Sequence, residues 1–124
     1  MSRKSNFTYI KDKKIAIYRP IKGKSSYGDI YNSGWEPLTP KRLWACYQSL
    51  KTDLRLESYS QVFDAECNFF VNWRNDIEAG MHVLFRDKPY EVVRIDDFEG
   101  YKKDLKLTCK SVMSFELSDY PVVK

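Results

Sequence analysis

Histidine is nearly absent from the chain: His82 is the only one among 124 residues. It stands in the apolar run Met81-His-Val-Leu-Phe85 with no serine or cysteine nucleophile at a recognisable motif, so it reads as a surface or interface residue and not as a catalytic base. Cysteine is scarce as well. Cys46, Cys67 and Cys109 are odd in number and far apart, which excludes C-x-x-C metal or redox spacing and gives no disulfide framework. Each lies in an apolar, strand-like run and reads as a buried, reduced thiol. Glycine-rich phosphate loops are missing. The acidic run Asp96, Asp97 and Glu99 lacks the glycine and closing glutamate of a calcium loop and reads as a solvated hairpin tip. No apolar run approaches a membrane span, and none follows the basic start as a leader would. These absences argue against an enzyme, a metal or cofactor protein and a membrane protein, and they point to synthesis in the cytoplasm.

Aromatic residues, by contrast, are abundant, at 15% with nine tyrosines. Tyr and Trp combine a large apolar body with a polar tip, which suits half-buried strands and protein interfaces. The 21 basic and 17 acidic residues leave a net charge of +4. Gripping duplex DNA takes clustered cations, because affinity comes from neutralising phosphates. Here the signs are interspersed after the basic start (Arg3, Lys4, Lys11, Lys13, Lys14), which reads as a solvated chain end whose first twelve residues, 1–12, are flexible. Length and composition fit one domain over 1–124, with 113–124 as a C-terminal tail.

Strand patterns recur along the chain. Lys14-Ile-Ala-Ile-Tyr-Arg19 alternates and is expected to end at Pro20, which lacks a ladder donor. Lys22 to Gly34 is rich in Gly, Ser, Asn and Asp and reads as a long loop. Lys41 to Leu50 lacks polar alternation, so contact on both faces is expected. Lys51 to Asp64 has no clean period; it reads as a long excursion, with room for a short helix. Glu66 to Trp73, Met81 to Phe85, Tyr90 to Ile95 and Asp104 to Val112 follow as strands, with Arg86-Asp-Lys-Pro89 and Asp96 to Lys103 as connections. About six short strands without a long helical period predict an all-β fold, a small barrel. Its expected core holds Ile15, Ile17, Ala45, Val71, Val83, Tyr90, Val92, Leu105 and Leu107. A small barrel with lysines invites an OB- or SH3-like nucleic-acid reading, with Tyr101-Lys102-Lys103 as the backbone contact. Against it, Phe69, Trp73 and Tyr90 have aliphatic neighbours, as core residues do.

The landmarks also come in a definite order. The first strand ends in Arg19-Pro20, Tyr27-Gly28 lies in the next loop, and Trp35 precedes a strand that opens on Trp44-Ala45. After the excursion, Phe69-Phe-Val-Asn-Trp73-Arg74 ends in an aromatic–arginine pair. Ile77-Glu-Ala-Gly80-Met81-His-Val, a short hairpin, Tyr90-Glu-Val-Val and Leu105-Lys-Leu-Thr-Cys109 complete the series. Over about residues 13–112 this order resembles the head–tail joining proteins of siphophages, also called stoppers or head-completion proteins. Two departures are Asp87-Lys88-Pro89, where that family often has a glycine, and the excursion, which varies within it.

The resemblance implies a non-enzymatic virion protein of a tailed phage or prophage, made in the host cytoplasm and placed at the head–tail interface. It implies a ring of identical subunits beneath the portal and adaptor proteins, with the isolated chain a monomer. The ring would close the DNA channel after packaging and offer the surface to which tail proteins attach. In such proteins the long loop between the second and third strands projects into the channel. Here that loop would be Lys51, Asp53, Leu54, Arg55, Leu56, Glu57, Tyr59, Phe63, Asp64 and their neighbours, meeting packaged DNA without sequence specificity and ordered only in the connector. Its mixed charges suit a channel lining that does not grip phosphate. The competing readings are a tail-terminator or other connector subunit and, from a different class, the OB- or SH3-like module.

Overall fold

The computed structural model describes residues 10–24, 26–28, 30–50 and 65–123. Seven strands carry the fold: β1 (Lys13–Lys24), β2 (Ile30–Pro37), β3 (Leu43–Ser49), β4 (Cys67–Asn72), β5 (His82–Phe85), β6 (Lys88–Asp96) and β7 (Asp104–Ser111). The only helical piece among the described residues is a 3-10 turn, Leu117–Asp119. All pairings are antiparallel. The sheet runs β1-β3-β4-β7-β6-β5 and closes through β1–β5 into a six-stranded barrel, while β2 is an extra strand on β1. Closure gives each of the six a partner on both sides within the barrel, so among the described residues open edges remain only along the β1–β2 extension.

The barrel interior follows from period-two patterning. Ile15 and Ile17 of β1, Phe69 and Val71 of β4, Val83 and Phe85 of β5, Tyr90 and Val92 of β6, and Leu105 and Leu107 of β7 converge in one buried cluster. All nine residues expected in the core are buried. β3 is one-sided, contrary to expectation: Ala45 and Tyr47 join the core while Trp44 is 53% exposed beneath the Lys14 ammonium.

Four local expectations are corrected. β1 does not stop at Pro20. Its pairing with β5 ends at Tyr18↔His82, but pairing with β2 continues to Lys24↔Ile30. Beyond Tyr18 the strand has a neighbour on one edge only, where a missing N–H costs no ladder bond. The glycine- and serine-rich stretch 22–34 is therefore mostly strand, a ribbon twisted by a bulge at Ile21/Lys22. The excursion consequently lies between β3 and β4, the third and fourth strands, and no longer between the second and third. Finally, Lys88 and Pro89 belong to β6, and the β5–β6 turn is only Arg86-Asp87, both at positive φ (54° and 63°). That is the two-residue geometry whose twist matches hairpin strands.

Candidate assembly surfaces

The base of the excursion is well defined. The Leu50 N–H donates to the Glu66 carbonyl (2.9 Å), and the Glu66 N–H donates to the Cys109 carbonyl (2.8 Å). The Ser111 hydroxyl donates to the Glu66 carboxylate. These bonds extend the β3–β4–β7 row and bring the two ends of the excursion together in a narrow neck. The residues assigned to the channel loop (Lys51, Asp53, Leu54, Arg55, Leu56, Glu57, Tyr59, Phe63 and Asp64), and the short helix considered there, lie outside the described residues.

A second site, missed in the sequence, lies on the outer face of the β1–β5 seam. Outward residues of β1, Ala16 and Tyr18, form a separate buried cluster with Tyr120 and Val123 of the C-terminal segment, flanked by Trp35 and Leu84. Polar tips pin the segment. The Tyr18 hydroxyl donates to the Pro121 carbonyl (2.5 Å), the Arg42 Nε–H donates to the Val123 carbonyl (3.0 Å), and the Tyr120 hydroxyl meets His82 Nδ1 at 2.8 Å. The Trp35 ring stacks on the imidazole at 3.8 Å. Burial pushes the His82 pKa below its usual value against the opposing pull of Glu91, and burial raises the pKa of both tyrosines. His82 is thus neither a free surface residue nor a base facing substrate: it anchors the tail. The same segment exposes Met113, Phe115, Leu117 and Val122. The spacing of Leu117, Tyr120 and Val123 was the available signal, but nothing in the local pattern names the face that receives it.

The remaining candidates fall into turns or core. The Asp96 carboxylate accepts the Phe98 N–H (2.8 Å) and Asp97 accepts the Gly100 N–H (3.2 Å), so this acidic run builds a tip in which Phe98, Glu99 and Gly100 all have positive φ. No cluster of three metal-ligating side chains occurs among the described residues. Phe69 and Tyr90 sit in the core, with rings 5.7 Å apart, and are unavailable for stacking on bases. Lys102 lies over the Trp73 ring at 5.3 Å, Tyr101 is exposed, and no described helix is long and apolar enough to cross a membrane.

The described residues thus build a closed six-stranded barrel with a narrow neck between β3 and β4. The family model for phage head completion proteins matches residues 11–112, which is the barrel with its excursion and ribbon. The chain belongs to the phage head completion protein family. As a head completion protein it is a structural protein of a bacteriophage, and membership implies a position at the head–tail interface of the virion among other head and tail proteins. The C-terminal segment from Met113 lies beyond the matched region. No curated protein matches the sequence. The solution structure of protein SF1141 from Shigella flexneri 2a is similar, with a TM-score of 0.64 over 87% of this head completion protein and all of that chain. At 15% identity that likeness speaks for the fold alone.

Proposed function

We propose that this head completion protein acts as structure and not as an enzyme, assembling as a single-domain subunit of a homo-oligomeric ring at the head–tail connector. The ring docks on the portal and adaptor side of the head, closes the DNA channel after packaging and presents the tail attachment surface. Residues 51–64 project from the neck into the channel and retain DNA there. The family match over 11–112 carries this reading. The neck supports the role of the excursion, because the Leu50–Glu66 bond completes the barrel row without it. A loop hung from a finished barrel can be shaped for a partner at little cost to the fold, since closure entropy grows slowly with loop length.

Replacing residues 51–64 by an Asn-Gly hairpin tests this. The shortened protein stays folded, and particles built with it package DNA and then lose it before tails attach. Particles that retain DNA and infect normally would sink the channel role of the segment.

A further inference from the structure

Cys67 stands directly opposite Cys109 in the β4–β7 ladder. Opposed residues of an antiparallel pair have Cα atoms about 4.5 or 5.5 Å apart, depending on whether the pair is hydrogen-bonded. Both distances fall within the roughly 4.4–6.8 Å that a disulfide spans. The side chains also share a face: both lie in the barrel core and expose no surface. Cys46 does not compete. It pairs with Phe70 and lies between the inward-facing Ala45 and Tyr47, so alternation turns its thiol to the other side of the sheet.

This pair sits at the neck of the excursion. Cys67 follows Glu66, whose N–H bonds the Cys109 carbonyl and whose carbonyl accepts the Leu50 N–H. We infer that Cys67 and Cys109 are a redox-modifiable pair, which a peroxide-class oxidant closes to a disulfide joining β4 to β7 beneath the neck. One thiolate attacks the peroxide O–O bond, giving a sulfenic acid and releasing the first water once protonated. The second sulfur displaces the sulfenic hydroxyl as a second water and forms the S–S bond. Two thiols lose two electrons, and one hydrogen peroxide gains them.

Burial governs the timing. It pushes the Cys67 thiol up to about 12 and the Cys109 thiol well above its usual value, so thiolate is scarce in the closed barrel. Oxidation then proceeds through opening of this end of the ladder. The pair stays reduced while subunits are made and assembled in a reducing cytoplasm, and closes slowly in particles released to an oxidising medium. That setting rests on the function proposed above. The pairing itself does not.

The test starts with the purified full-length protein, treated with hydrogen peroxide and mapped by mass spectrometry without reduction. A Cys67–Cys109 linked peptide is expected, absent from Cys67→Ala and Cys109→Ala and retained in Cys46→Ala. The linked loop encloses about forty residues, so the melting temperature should rise by roughly 10 °C or more, reversibly with dithiothreitol. Cys46 oxidising while Cys67 and Cys109 remain alkylatable after unfolding, or a link through Cys46, would overturn the inference. Because it is read on wild-type protein, it survives any alanine variant that fails to fold. Phage particles supply the second arm: the link is expected in aged, released particles and absent when cells are alkylated before lysis. Particles that contain the protein with both thiols still free after peroxide treatment overturn the inference. Particles lacking the protein overturn the virion assignment instead, and leave the peptide map of the isolated chain to decide the pairing.

Discussion

The barrel interior and the patch beneath the C-terminal segment draw on the same strands, yet they are held in different ways. Inside, aliphatic side chains from the barrel strands surround an aromatic group in which Phe69 meets Phe85 edge-on at 5.4 Å. Outside, two of the four buried side chains are tyrosines, and each hydroxyl tip has a partner: Tyr18 on Pro121 and Tyr120 on His82. The interior is enforced by closure of the sheet, which takes inward-facing side chains of all six strands out of water. The outer patch exists only because a segment 103 positions away in sequence from Tyr18 folds back onto it. One strand, β1, thus serves both faces, with Ile15 and Ile17 inward and Ala16 and Tyr18 outward.

The largest loss is expected from a change inside the barrel. Leu107 is fully buried, and Leu107→Ala should cost about 2–5 kcal/mol of unfolding free energy by chemical denaturation. A much smaller loss would mean that the interior collapses around the gap as freely as a surface patch does.

A milder loss is expected outside. Tyr18→Phe removes one hydrogen bond and should cost about 1 kcal/mol. Amide exchange should quicken in residues 117–123 while the β4, β6 and β7 amides remain protected. Equal acceleration throughout would make the two faces a single cooperative unit.

The outer patch should also respond to pH. Burial depresses the His82 pKa below the ordinary value of 6.5, so the unfolded chain takes up its proton more readily than the folded one. The associated stability is present in full above about pH 6.5. It falls as pH drops through that value and levels off below the folded pKa. Thermal melts from pH 7.5 to 5.5 should show this slope in the wild type and a flatter one in His82→Gln, since the chain has no other histidine. An identical slope in both would remove His82 from the account.

The smallest effect concerns a turn that belongs to neither face. Asp87 adopts φ of 63° in a two-residue hairpin where glycine is favoured. Asp87→Gly should stabilise the barrel by a few tenths of a kcal/mol up to about 1 kcal/mol, read from the denaturation midpoint. A loss instead would give the Asp87 side chain a role in holding the turn.

Much of the barrel was legible in the order of residues. Alternation in Ile15/Ile17, Phe69/Val71 and Leu105/Leu107/Cys109 is a local property, and burial of one sheet face follows from it wherever the strands end up. The ribbon over β1 and β2 was not legible, because Gly, Ser and Asn at 22–34 signal turns, and only pairing with a neighbour makes such residues a strand. The cysteines teach the same lesson. Their wide spacing gave no hint that Cys67 and Cys109 would meet, since β-sheet neighbours are chosen by topology and not by sequence distance.

Short-range periods along the chain carry the all-β barrel class and the nine expected core residues, all of which are buried. The tertiary fold alone settles which strands are neighbours in that barrel, that Leu50 and Glu66 tie the neck and that Cys67 faces Cys109. It also decided that Tyr120 and Val123 cover the back of β1. These are contacts between segments far apart in the chain, and their formation depends on which surfaces remain after the barrel has closed.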